Sequence, residues 1–218
     1  MVFRNQWLIA PKRQRHLEQL VQHSGVIRYY IRRKPFHGIL KTEYGNTFTY
    51  KVKGAVQDNK TKNWIKTLIR HLDASLDVDF KEVRQSSDAH LRFLAAKHVS
   101  KPWSRDTTGE SIWNPRGGGD SAGLATVLVK KQKNLSDQMA TITHELGHAL
   151  GLKHPKGKPY SPEFSTANTI MSYNNARDPQ FVYKEFTIND LRALSSLWGL
   201  ESGKSSSLET RVPFPSKV

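Results

Sequence analysis

The chain has 218 residues, 37% of them hydrophobic, a net charge of +15, nine histidines and no cysteine. Such a length buries the core of one ordinary domain, and the absence of cysteine excludes disulfides, thiolate metal sites and a cysteine nucleophile. No apolar run is long enough to cross a bilayer, and "WLIA" before Pro11 is too short for a secretory signal, so neither a transmembrane helix nor a cleavable leader is expected.

The charge is uneven, since residues 1 to 70 carry 15 Lys/Arg against Glu18, Glu43 and Asp58. Runs such as Lys12-Arg13-Gln14-Arg15 and Arg32-Arg33-Lys34 would attract nucleic acid, an anionic surface or an acidic protein, or simply form a solvated face. Residues 1–45 read as a basic N-terminal extension, 46–200 as the main domain and 201–218 as a polar tail. Within the extension, residues 12 to 23 pattern as a short helix and "GVIRYYIRRKPF" as a strand ended by proline.

From residue 47 the periodicities sharpen. "TFTYKVKG" alternates as a strand, and "NKTKNWIKTLIRHLDASL" places Trp64, Ile65, Leu68, Ile69, Leu72 and Leu76 at helical spacing. "LDVDFKEV" and "DAHLRFLA" alternate as two further strands. A long segment rich in turn formers, "HVSKPWSRDTTGESIWNPRGGGDSAG", leads into a strand at "LATVLVK". Ser136 or Asn134 can cap a helix through "DQMATITHELGHALG", ended by Gly151. A last helix, "INDLRALSSLWG", starts at Thr187 with Asp190 three residues on, turns Leu191, Leu194, Leu197 and Trp198 inward, and stops at Gly199.

The chemistry is concentrated in "THELGHALGLKHP", residues 143 to 155. His144 and His148 lie one turn apart on one helix face, close enough to share a metal ion, with Glu145 beside them. Gly151 breaks the helix, and its freedom at positive φ lets the chain return His154 to the same metal. Three imidazoles with a fourth position left to water describe a catalytic zinc site rather than a closed structural one, and Glu145 is placed to act as general base. Five fixed letters at this spacing arise by chance on the order of once in 100,000 sequences of this length, so coincidence is set aside.

With HExxHxxGxxH complete, and Met171 following in "NTIMSYN", the sequence resembles the metzincin metallopeptidases, more closely their serralysin branch near the matrixins. Pro155 after the third histidine is the serralysin choice. Tyr173, two after Met171, matches the tyrosine that in serralysins and astacins serves as a further zinc ligand. The resemblance implies an α+β, zincin-like fold, in which a twisted mixed sheet and long helices form an upper lobe across a cleft from a small irregular lower lobe. It implies Zn2+ held by His144, His148, His154 and Tyr173, catalysis by Glu145 with Tyr173 assisting, and structural roles for Gly151 and Met171. It extends more loosely over residues 47 to 200: "TFTYKVKG" looks like the family's first strand and "GLATVLV" like the edge strand lining the cleft. That makes Gly123, Leu124 and Ala125 substrate contacts, and the loop from Asn174 to Glu185 the wall of the pocket for the residue after the cut.

The activity implied is zinc-dependent hydrolysis of peptide bonds in proteins, with an extracellular setting suggested by the resemblance alone. The departures are the lack of a glycine- and aspartate-rich calcium-binding array and of a cysteine to cap the zinc; a single "RGGGD" at 116–120 reads first as a flexible turn and only second as a cation-binding loop for Ca2+. Rival readings are a basic nucleic-acid-associated protein, including a protease of nucleic-acid-bound proteins, and a non-catalytic zinc adhesion protein, against which an intact Glu145 argues.

Overall fold

The computed structural model describes residues 3–10, 21, 24–42, 48–100, 103–113, 125–176 and 184–201. These form a mixed α+β fold: a seven-stranded twisted sheet and three α-helices, compatible with a metzincin-like architecture. The strands are β1 (Val26–Ile31), β2 (His37–Thr42), β3 (Phe48–Ala55), β4 (Asp79–Glu82), β5 (Leu91–Val99), β6 (Gly109–Trp113) and β7 (Ala125–Lys130). The helices are α1 (Asn59–Asp73), α2 (Leu135–Ala149) and α3 (Ile188–Trp198).

β5 is the hub. It pairs in parallel with β1 and with β7, and its C-terminal half pairs antiparallel with β3. β4 lies parallel beyond β1, β6 antiparallel beyond β7, and β2 antiparallel beyond β3. Leu91 to Ala96 of β5 are all buried, as expected of a strand covered on both faces. One face, carrying Phe93, Val127 and Val129, packs on Ile65 and Leu72 of α1, Ile142 and Leu146 of α2 and Leu194 of α3. The other face is closed by the β2–β3 hairpin, whose Leu40, Tyr50 and Val52 meet Leu94, Ile112 and Leu128. The sheet curls until β2 lies near β6 without pairing with it.

Each helix begins where a side chain satisfies its first backbone N–H groups. Asp58 accepts from Thr61 N, Asn134 (not Ser136) accepts from Ser136 N and Asp137 N, and Thr187 with Asp190 forms a full capping box. Leu191, Leu194, Leu197 and Trp198 are buried as their spacing predicts.

Three expectations need correction. The strand that starts the parallel set is β1, not "TFTYKVKG": β3 belongs to the hairpin. A boundary at residue 45 therefore runs through the sheet, because β1 sits between β4 and β5 and β2 pairs along the whole of β3. Finally, "GESIW", read as loop, is β6; Gly109 and the mixed polarity of Glu110 and Ser111 hide a strand too short to show alternation. The helix expected over 12 to 23 lies outside the described residues except Val21, which is helical and buried, and so does most of the tail beyond Glu201.

Candidate metal centre and cleft

α2 presents His144, Glu145 and His148, all buried, and ends in a Schellman turn. Leu152 N–H donates to Gly147 O at 2.8 Å, Gly151 N–H donates to His148 O at 3.2 Å, and Gly151 takes φ +106°, which only glycine adopts without strain. The reversal brings His154 back across the helix end. Among the described residues, His144, His148 and His154 form one group whose ligand atoms all lie within 4.8 Å of one another.

Two of these rings are oriented by main-chain carbonyls. His144 Nδ1 lies 2.7 Å from Ile170 O and His148 Nδ1 lies 3.0 Å from Leu152 O. A carbonyl can only accept, so each Nδ1 carries the proton and each Nε2 is left as a metal ligand. His148 Nε2 and His154 Nε2 are 3.3 Å apart, the separation of two donors at about 2.0–2.1 Å on one tetrahedral ion. Three neutral imidazoles at this spacing fit a divalent metal such as zinc.

The carbonyl beneath His144 is itself fixed. Asp190, fully enclosed in α3, accepts from Ile170 N–H at 3.0 Å, from Thr187 N–H at 2.8 Å and from the Thr169 hydroxyl. Burial pushes this carboxyl up while those hydrogen bonds pull it down. Asp190 was legible only as a helix-start residue; its link to His144 runs through Ile170, 20 positions from Asp190 and 26 from His144. Met171 has no exposed surface and supports the helix: a Cβ built on Gly147 would lie 2.6 Å from Met171 Sδ and 3.3 Å from Phe186. Gly147 was not singled out from sequence, where the xx positions of the motif carry no constraint.

Tyr173 reaches the same group of rings, its centroid 5.2 Å from that of His144 and 4.8 Å from that of His154. Withdrawal of part of the ring from water, then the Glu145 carboxylate, push its phenol up to about 12. Tyr160, 70% exposed, stands edge-on to it at 5.2 Å and walls the outer side.

Glu145 faces β6. A Cβ on Gly109 would come within 2.6 Å of Thr141 Cγ2, 2.9 Å of Glu145 Cγ and 3.2 Å of Glu145 Oε1, so only glycine lets this strand pass so close. The next residue, Glu110, accepts from the Tyr50 hydroxyl at 2.8 Å and from the Trp103 indole, locking β6 to the hairpin. Of the substrate contacts expected at Gly123, Leu124 and Ala125, the structure describes only Ala125. Gly123 and Leu124 lie outside the described residues, as does "RGGGD", and Ala125 is fully buried in β7. β7 has β5 on one side and β6 on the other, which leaves no edge for an added strand; the pattern "LATVLV" looked like an edge because apolar runs do not reveal which strand is outermost. Of the expected wall from Asn174 to Glu185, residues 177–183 lie outside the described residues.

The loop carrying His154 is also held from the N-terminal side. Lys153 N–H donates to Leu8 O at 2.7 Å, Ala10 N–H donates to Gly151 O at 2.8 Å, and Ile9 bridges Leu152. Leu8 is wholly buried, and Phe3 and Trp7 pack edge-on to Phe164 beneath the Lys156 ammonium.

No family profile matches the chain. Its sequence is 29% identical over 145 residues to matrix metalloproteinase-C of Caenorhabditis elegans, an alignment covering 60% of this chain. The chain spans 23% of that protein's length. The similarity is thus to a metalloproteinase, and it agrees with a group of histidines able to hold a metal ion. No helix of the described residues is long and apolar enough to cross a membrane.

Proposed function

We propose that the chain is a zinc-dependent endopeptidase of metzincin type, hydrolysing peptide bonds in proteins. The observation that carries this reading is the convergence of three imidazoles with a buried carboxylate, Glu145, at the flank of a sheet strand. Zinc held by His144, His148 and His154 would supply Lewis acidity toward water and the scissile carbonyl. The rest falls to side chains of the protein. Glu145 takes a proton from the attacking water as its oxygen bonds to the carbonyl carbon, then delivers that proton to the amine as the C–N bond breaks. The Tyr173 hydroxyl, beside the imidazoles, donates to the oxyanion that forms.

Substrate is assigned to β6 in place of β7. Among the described residues β6 pairs only with β7, so its other edge can bond an extended peptide main chain, and at Gly109 the helix-facing side of the same strand passes directly against Glu145.

The reading is tested by digesting a diverse peptide library with purified zinc-loaded protein, with and without chelator, beside Glu145→Gln. We expect internal cleavage that the chelator abolishes, and a Glu145→Gln protein that keeps its zinc but turns over about 10²–10⁴-fold more slowly. Chelator-resistant cleavage, or full activity in Glu145→Gln with zinc bound, would overturn it.

A further inference from the structure

The sheet face covered by the β2–β3 hairpin has a second consequence, on the hairpin's solvent side. Strand alternation turns Leu40, Tyr50 and Val52 inward and sends His37, Ile39 and Lys41 of β2 and Thr49, Lys51 and Lys53 of β3 outward, all exposed. The register places His37 opposite Lys53, Ile39 opposite Lys51 and Lys41 opposite Thr49, while on the other side Lys53 is opposite the exposed His98 of β5. Lys51 and Lys53 lie about 6.6 Å apart along the strand, and neighbouring rows about 4.8 Å apart. No carboxylate occurs anywhere in β2, β3 or β5. Elsewhere some cations are answered within the protein, as Arg33 and Lys66 are by Glu82, and Lys156 is by Glu163. Among the described residues of the hairpin face, three lysines and two histidines stand together with no carboxylate between them.

We infer that this face is a docking surface for a linear sulfated polysaccharide. Charge complementarity requires an anionic partner with repeated charges, because a grid of cations a few ångströms apart gains most from a ligand that spans several at once. Three features favour a sulfated saccharide over nucleic acid. The hairpin is packed down on the sheet by its inner residues, so it cannot stand into a duplex groove as a free β-ribbon does. Among the described residues its face presents no Trp, Tyr or Phe ring, the broadest platforms for an unpaired base, and its one large exposed apolar side chain is Ile39. Its cations are lysines, which act as point charges toward sulfate and lack the planar fork that arginine brings to base edges and phosphates. Because β2 comes near β6, the surface borders the strand assigned to the cleft. The inference itself does not depend on peptidase activity.

The test uses the full chain and a size-defined heparin oligosaccharide, with binding followed by fluorescence anisotropy over a salt series. The variant Lys41→Gln/Lys51→Gln/Lys53→Gln should bind about tenfold or more weakly at low salt, with the slope of log K against log salt smaller by about two to three. A control with the same charge change on α1, β4 and the loop before α2, Lys60→Gln/Lys81→Gln/Lys133→Gln, should bind nearly as the unmodified protein. Melting temperatures check that each variant is folded; Lys51→Gln and Lys53→Gln singly, each expected to weaken binding severalfold, serve if the triple variant is not. Undiminished binding by the hairpin variant overturns the inference, and so does equal loss in the control, which would mean bulk charge alone. A duplex DNA of matched charge that binds the unmodified protein more tightly than heparin, and loses that binding in the hairpin variant, would replace the saccharide with nucleic acid.

Discussion

Gly109→Ala probes the arrangement of the cleft most directly. The added methyl would sit 2.6 Å from Thr141 Cγ2 and 2.9 Å from Glu145 Cγ. Carbon atoms settle at about 3.5–4.0 Å, so the overlap is about 1 Å and either β6 or the Glu145 side chain must yield. Overpacking of this size costs about 1–3 kcal/mol. Because the contact falls on the base itself, part of that cost should be expressed as displacement, and a shift near 1 Å at a reacting group lowers turnover by about 10²-fold. We expect kcat to fall by about ten- to a hundredfold with zinc content unchanged, since the nearest atoms to the new methyl belong to Thr141 and Glu145 and not to an imidazole. Adding Thr141→Ala removes the nearest clash and should restore part of the rate, while Gly38→Ala, which meets only Phe36 at 3.5 Å, should be silent. The assay is steady-state cleavage of a fluorogenic peptide, with bound zinc and melting temperature measured on each variant. Wild-type kcat and stability in Gly109→Ala would refute the placement of Glu145 against β6.

Other perturbations test separate links. Tyr173→Phe should retain zinc and lower kcat about tenfold with KM nearly unchanged, as loss of one hydrogen bond made mainly in the transition state requires; a changed KM with constant kcat would make the ring a substrate contact instead. Leu8→Ala should cost about 2–5 kcal/mol of stability, read by denaturant unfolding, because Leu8 is wholly buried, and should speed zinc loss to a chelator. In the chelated protein, acid should destabilise through His90. Burial, then the Arg28 guanidinium, hold this imidazole below its ordinary value. The folded state therefore binds the proton less readily than the unfolded chain, so the contribution is complete above about pH 6.5 and is lost as pH falls below it. The fall in melting temperature between pH 7.5 and 5.5 should be shallower in His90→Asn.

The metal centre was legible because its constraints are local. His144 and His148 are related by one helical turn and Gly151 by a chain reversal, so spacing alone predicts their convergence with His154. The helices were legible for the same reason: periodicity and caps such as Thr187 and Asp190 act within four residues. The sheet was not. That β1 lies between β4 and β5, and that β7 is interior while β6 is outermost, depends on pairings between residues tens of positions apart. An apolar run like "ATVLV" reads alike in either place. Gly109 and Gly147 were missed because a glycine needed for close approach, rather than for a positive φ, is recognised only when the neighbouring element is known.

The third histidine shows why so small a site engages distant parts of the chain. His144 and His148 inherit their positions from the hydrogen-bond ladder of α2, whereas His154 stands on irregular backbone with no ladder of its own. Without support, fixing that loop would cost about 1–2 kcal/mol per residue in backbone entropy, a cost that metal binding would have to meet each time. The structure provides the support from both directions. Leu150 O accepts from the Trp198 indole of α3 at 2.9 Å, in the interior, and the Gly151 carbonyl and Lys153 N–H are bonded by the Leu8 to Ala10 segment. The ordering is thus completed when the domain folds, so the free energy of metal coordination need not be spent on it. It follows that residues 3–10, although far in sequence from the motif and in a region whose charge invites a separate role, belong to the metal centre's framework. Their removal should weaken zinc retention even where the remaining domain stays folded.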